Sequence, residues 1–390
     1  MNPSHGGRER ARGFLRVLSE LGSRGSSQFQ AAWSSKAYRV DLAIQTQVKK
    51  CCIAYEQRKL RSNGKQAFMR SRTLLAVALA VWLAAGPALG GYSMTDGVLH
   101  DGPRGRDVPY RIYAPEPLVG AYPVIFVSHG IGGSRDSMPY LGRHLAQHGY
   151  ISIHLQHPGT DVSLWAREST LSGVYAALRR GMWDSDAAQA RFQDLPFAVD
   201  ELAGLNAKGP LAGHIDAQRI GMAGHSYGGV STMVAAGQRM GPGGQWFFKD
   251  PRIKAGFVMS PNVPIQGGNL TQLYRDIDIP LFHATGTKDG NAVPGNPEFD
   301  PVRRTLPYRT LKIPDQYLLV LEDADHNSFS GLEHGPHAHG KEVETRYTHA
   351  VEQAALLFFD AYVKGDAKAQ AILRSGFKSK LEPGDRFEWK

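Results

Sequence analysis

The sequence predicts an α/β fold in which a mostly parallel central sheet carries helices on both faces. Three observations predict it: strand-length apolar runs recur from residue 110 onward, helical patterns fall between them, and several runs are apolar without alternation. Alternating strands and helices build parallel sheets, and a strand covered on both faces has no polar side to show. The runs fall at 110–114, 123–128, 150–156, 220–223, 255–260, 280–285 and 317–321, each bounded by turn residues. Helical periodicity falls at 138–147, 187–205, 229–239 and 341–364. The stretch 158–183 fits neither pattern and holds Trp165, Tyr175 and Trp183 among small and basic residues. Beside a strand end such material forms a lid or pocket wall, or a plain surface excursion. Trp165 and Trp183 are its candidate substrate contacts.

The chain has 390 residues and a formal net charge of +9, which raises the question of nucleic acid or anionic partners. Residues 1–68 answer it: they carry 13 Lys and Arg against 4 Asp and Glu, so the whole excess lies there and the remainder is near neutral. No nucleic acid partner is expected. The same 68 residues are rich in Gly, Ser, Arg and Gln, lack sustained periodicity, and contain Cys51 and Cys52, the two cysteines of the chain. They read as a disordered or non-native basic extension.

Met69-Arg70-Ser71-Arg72, an apolar run over 73–85, and small residues around Gly86-Pro87-Ala88-Leu89-Gly90 have the layout of a secretory signal peptide over 69–90, cleaved after Gly90. The run is too short for a comfortable membrane span; a basic arm followed by a signal-anchor helix is the alternative. Start of translation at Met69 and export, to the periplasm or outside, are the expectations. A mature chain over 91–390 would then be one catalytic domain without cysteine, which excludes a thiol nucleophile.

Gly224-His225-Ser226-Tyr227-Gly228 is a Gly-x-Ser-x-Gly match, a weak signal alone in a chain with 44 glycines. Context strengthens it. The apolar strand Arg219-Ile220-Gly221-Met222-Ala223 runs into the motif and a helical pattern follows, the strand-turn-helix setting of a nucleophile elbow in the α/β-hydrolase fold. The sharp turn strains the serine and crowds the residues two before and two after it, so both are glycine. Upstream, Val124-Ile125-Phe126-Val127 ends in Ser128-His129-Gly130-Ile131-Gly132-Gly133. The loop at that place supplies an oxyanion donor, so the hole is assigned to the Ile131 and Tyr227 N–H groups.

In this fold the nucleophile is followed by an acid and then a histidine. Asp289 follows the 280–285 strand and His326 follows the 317–321 strand, so both leave the sheet edge that Ser226 leaves. His326 is read as the general base and Asp289 as the group that sets its tautomer. Asp323 and Asp325 stand too near His326 in sequence to bond its ring without unusual backbone geometry. His334, His337 and His339 invite a metal reading, but no partnered ligand set accompanies them, and neither metal nor cofactor is expected. His283 reads as a buried strand residue; His154 and His157 line a strand end without an assigned task.

With these residues placed, the chain resembles the α/β-hydrolase group of predicted dienelactone-hydrolase-like proteins and platelet-activating-factor acetylhydrolases, with chlorophyllase-type esterases more distant. The likeness rests on Val127 to Gly133, on Gly149-Tyr150 leading to His157-Pro158, on Arg219 to Gly229 and on Asp325-His326. It implies the same nucleophile, acid, base and oxyanion amides: Ser226, Asp289, His326, Ile131 and Tyr227. True dienelactone hydrolases carry cysteine at the elbow where this chain has serine, so that name does not bring its substrate with it. The expected reaction is hydrolysis of a carboxylic ester, small or polymeric, through an acyl-enzyme. The same triad would serve a polyester, lipid or amide hydrolase, and the fold also permits a noncatalytic binding module.

Overall fold

Tyr122–Ser128 carries Val124, Ile125, Phe126 and Val127 in unbroken succession, and all four are buried. Side chains alternate along a strand, so Ile125 and Val127 enter one core with Leu141, Phe257, Phe282 and Phe358. Val124 and Phe126 enter a second with Leu195, Val199, Ile220 and Met222. A continuous apolar run is thus the mark of a strand between two helical layers. The computed structural model describes residues 90–263, 269–290, 300–331 and 346–390, all within one compact unit, Pro87–Lys390.

The strands are β1 (Gly91–Asp101), β2 (Arg106–Glu116), β3 (Tyr122–Ser128), β4 (Ile151–Leu155), β5 (Ile215–His225), β6 (Ile253–Met259), β7 (Leu281–Lys288), β8 (Gln316–Asp325) and β9 (Arg386–Trp389). They form one sheet among the described residues, in the order β1-β2-β4-β3-β5-β6-β7-β8-β9. The block from β4 to β8 is parallel; β2 and β9 run against their neighbours. This is the α/β-hydrolase fold. From β3 the chain turns outward to β4, and β5 lies on the other side of β3, so the order reverses there. Crevices at the carboxyl ends of strands flanking such a switch point are where open α/β sheets bind ligands.

The longer helices are α1 (Pro139–Gln147), α2 (Leu171–Trp183), α3 (Ser185–Asp200), α4 (Tyr227–Ala236), α5 (Arg346–Tyr362) and α6 (Ala367–Ser375). Their starts follow capping chemistry: Thr170 accepts from the Gly173 N–H, Asp184 from those of Asp186 and Ala187, and Asp366 from those of Lys368 and Ala369. All seven apolar runs overlap strands. Two strands escape the apolar pattern. β1 is an edge strand with most of its side chains exposed or half-exposed, held by an unbroken backbone register to β2 from Gly91↔Glu116 to Asp101↔Arg106; β9 is four residues on the other edge. Edge strands bury too little to write an apolar run.

The helical pattern at 187–205 is broken at Glu201, where α3 ends and a short helix, Leu202–Ala207, begins. The 158–183 stretch holds one 3-10 turn, Val162–Leu164, and α2. Among the described residues no helix is long and apolar enough to cross a membrane. The basic extension, the signal peptide over 69–90 apart from Gly90, the first part of the 341–364 pattern and the histidines at 334, 337 and 339 lie outside the described residues.

Candidate active site

β5 delivers Ser226 at its carboxyl end, and α4 begins one residue later. Ser226 takes φ 57° and ψ −118°, a conformation non-glycine residues avoid. Neighbours hold it there: its N–H donates to the Met259 carbonyl at 2.9 Å, and its carbonyl accepts from the Val230 N–H at 3.1 Å. The crowding expected at the flanking glycines is present. A Cβ on Gly224 would strike the Gly228 carbonyl, and one on Gly228 would strike the Ser128 carbonyl at the end of β3. A Cβ on Gly130 would lie 3.3 Å from the Ser226 Cβ, so the loop after β3 passes directly against the serine.

That loop is a closed turn. The Gly133 N–H donates to the Gly130 carbonyl at 3.1 Å, the Gly132 N–H to the Thr160 carbonyl at 2.8 Å, and the Trp165 indole N–H to the Gly132 carbonyl at 2.7 Å. Among the described residues neither the Ile131 nor the Tyr227 N–H donates to a protein acceptor. Tyr227 is the first residue of α4, where N–H groups have no intrahelical partner and the helix dipole is positive. The two side chains pack in one apolar cluster with Val174 and Leu178 of α2 and with Trp165.

Asp289 and His326 meet after β7 and β8. His326 Nδ1 lies 2.8 Å from Asp289 Oδ1, and the Thr285 hydroxyl donates to Asp289 Oδ2 at 2.6 Å. An ionised carboxylate only accepts, so Nδ1 bears the proton and Nε2 keeps its lone pair, the tautomer a general base requires. His225, the residue before the serine, donates from Nε2 to the His326 carbonyl at 2.8 Å, and its ring lies 4.7 Å from the His326 ring. The elbow is thereby tied to the imidazole.

Arg304, fully buried, joins this pair. Its Nε stands 3.2 Å from Asp289 Oδ1; one Nη donates to the Gly290 carbonyl at 3.0 Å and lies 3.1 Å from His326 Nδ1, a contact without a hydrogen bond because that nitrogen bears the proton, while the other Nη donates to the carbonyls of Ser260 and Pro261 and to Asn262 Oδ1. Burial alone would raise the Asp289 pKa; the Arg304 guanidinium and then the His326 ring overcome it and hold the carboxyl well below the usual carboxylate range. His326 is lowered, first by burial and then by the Arg304 charge, against the opposing pull of Asp289.

Asp323 points away into an ion pair with Lys288 at 3.0 Å, and Asp325 caps the turn His326–Phe329 through the N–H groups of Asn327 and Ser328. His283 is buried in β7 and His154 bonds the Ser137 carbonyl and the Ser152 hydroxyl. Trp165 braces the loop that carries Ile131. Trp183 ends α2 with 79% of its surface exposed. Three side chains that sequence reading left unassigned touch the site: His225, Arg304 and Arg191. His225 is the variable position of the elbow motif, whereas nothing distinguishes Arg304 from Arg303 beside it until the fold buries one. Among the described residues no three His, Cys, Asp or Glu side chains are grouped to hold a metal.

No family model matches the chain. Among curated proteins it is similar to "Cutinase est1" of Thermobifida alba, 26% identical over 215 residues, which are 55% of this chain and 56% of that protein. It is also similar to "Cutinase est2" of the same organism, 26% identical over 171 residues, 44% of this chain and 43% of that protein. The chain therefore spans about half the length of these relatives. Their likeness, with the elbow geometry, supports a serine α/β-hydrolase.

Proposed function

We propose that this protein is a serine esterase that cleaves carboxylic esters through an acyl-enzyme on Ser226, with Asp289 and His326 as its acid and base. The observation that carries the reading is the Asp289–His326 contact with its fixed tautomer, tied through His225 to a serine at a strained elbow. His326 Nε2 takes the proton from Ser226 Oγ as Oγ attacks the carbonyl carbon, and the Ile131 and Tyr227 N–H groups receive the developing oxyanion. Collapse of the tetrahedral adduct expels the alcohol, which takes its proton from His326. Water, deprotonated by His326, then releases the acid and regenerates Oγ–H.

The purified protein is expected to hydrolyse a short-chain aryl ester and to lose that activity in Ser226→Ala; full activity in the variant refutes the assignment. A polymeric ester is the second reading, favoured by the two relatives named as cutinases. Activity on a polyester film supports it, and activity confined to acetyl esters supports the acetylhydrolase-like likeness of the motifs instead. Export through a signal peptide beginning at Met69 belongs to the same proposal, and sequencing of the native N-terminus tests it.

A further inference from the structure

Beneath the oxyanion loop lies a polar network that the proposed reaction does not use. Arg191 of α3 is its centre, and its guanidinium is fully buried. Nε donates to the Ser231 hydroxyl at 2.8 Å, Nη1 to the Thr160 hydroxyl at 2.9 Å, and Nη2 to the Ser128 hydroxyl at 2.8 Å and to the His129 carbonyl. The Ser231 hydroxyl donates onward to the Tyr227 carbonyl at 3.1 Å, and the guanidinium carbon lies 4.8 Å from the Tyr227 ring centroid. One side chain therefore grips both segments that supply the oxyanion donors: Ser128-His129, leading to Ile131, and Tyr227 with the turn after it.

Burial lowers the His157 pKa to about 4, so its ring is neutral at pH 7 and the surrounding protons admit one assignment. His157 Nδ1 lies 3.0 Å from Asp194 Oδ2, a carboxylate also bound by Arg104 and Arg106, so Nδ1 carries hydrogen. His157 Nε2 must then accept from the Ser128 hydroxyl at 3.0 Å, which leaves that oxygen to accept from Arg191. His129 donates from Nδ1 to the Gly130 carbonyl at 2.6 Å and accepts at Nε2 from the His157 N–H at 3.0 Å. Every bond runs in one direction, which is how a buried network specifies a single geometry.

Among the described residues no carboxylate forms an ion pair with Arg191; its donors end on hydroxyls and a carbonyl. A buried cation without a direct counter-ion is costly; here four hydrogen bonds, to three buried hydroxyls and a carbonyl, offset that cost. What the guanidinium supplies is a rigid fork across a glycine-rich loop, together with positive charge beside the place where an oxyanion forms.

We propose that Arg191 is the positioning residue of the oxyanion hole, clamping the Ile131 loop to the first turn of α4. The proposal rests on the esterase reading above. The test begins with a fluorophosphonate probe on the wild-type protein, which labels Ser226 and counts active sites; failure to label there sinks the esterase reading itself. With sites so counted, Arg191→Lys keeps the charge without the fork and Arg191→Met removes both. In each, kcat per labelled site is expected to fall on the order of 10²-fold, the cost of one oxyanion donor, with KM changed less than about threefold because ground-state binding is spared. Affinity for an alkyl boronic acid, whose tetrahedral adduct occupies the hole, falls in parallel. A merely structural role lowers thermal stability and the number of labelled sites but moves neither kcat per site nor boronate affinity, and that result overturns the proposal. If neither variant folds, Thr160→Val, which removes the Nη1 anchor along with the bond from the Thr160 hydroxyl to the His157 carbonyl, carries the same test: unchanged kcat per site and unchanged boronate affinity refute it.

Discussion

Gly228→Ala is the sharpest probe of the elbow, because its effect follows from one close approach. The added methyl carbon would sit more than an ångström inside the closest distance that Cβ atoms keep from other heavy atoms, with the Ser128 carbonyl as the obstacle. That carbonyl belongs to backbone, so no rotamer change relieves the clash; the end of β3 and the start of α4 must part by about an ångström. Overpacking of this kind costs about 1–3 kcal/mol of stability. The same movement separates the Ile131 loop from Ser226, and a displacement of about 1 Å in a catalytic constellation costs about 10² in rate, or about 2.7 kcal/mol of transition-state stabilisation. Gly102→Ala is the matched control: nothing lies within 4 Å of a Cβ there, and its backbone is not left-handed. Chemical denaturation and kcat on a short-chain aryl ester are measured for both. Gly102→Ala is expected within about 0.5 kcal/mol of the parent. A Gly228→Ala protein with parental kcat refutes the placement of the hole between these segments.

Further outcomes are expected at the acid, the buried histidines and the two tryptophans. In Asp289→Asn, an amide that keeps its oxygen for Thr285 turns NH2 toward His326 Nδ1 and Arg304, donor against donor, so the ring loses its working tautomer; kcat falls on the order of 10⁴-fold, and a loss under tenfold counts against Asp289. Arg304→Gln removes a cation that lowers the His326 pKa, so the acid limb of the kcat/KM profile moves to higher pH and activity at pH 6 suffers more than at pH 8; a limb that stays or moves down refutes this. Burial lowers His283 to about 3, so the unfolded chain takes up that proton first and stability drains as pH falls from about 6.5 toward 3, by about 1.4 kcal/mol per pH unit. His283→Leu should flatten denaturation midpoints across that window; an undiminished slope would exclude His283 as a source. Trp183→Ala leaves kcat/KM for a small ester unchanged, whereas Trp165→Phe, which loses the bond to the Gly132 carbonyl, lowers it; the reverse order would show that α2 presents Trp183 to substrate.

How much of this was legible differs from residue to residue. The interior strands are written in unbroken apolar runs because both their faces are buried, and the elbow is written in glycines because a Cβ there meets backbone. Asp289 and His326 could be ordered along the chain because each follows a strand. β1 could not be found this way, since an edge strand depends on backbone pairing more than on side-chain burial. Trp165 and Trp183 could not be told apart in this way, because an aromatic residue in an irregular stretch looks alike whether it lines a pocket, braces a loop or ends a helix in solvent.

By itself, then, the sequence determined the inner strands of the sheet, the serine at its turn and the order of Asp289 and His326 after their strands, all of which are local in the chain. Only the tertiary structure decided what surrounds them. Arg304 meets the Asp289–His326 pair, and Arg191 bonds α4 at Ser231 and the end of β3 at Ser128 across 40 and 63 positions of chain. Contacts of that reach leave no periodic mark, because a buried arginine is spelled like an exposed one and only folding removes its water. The serine at 226 was legible as a turn; the Arg191 network beside it is a property of the packed molecule.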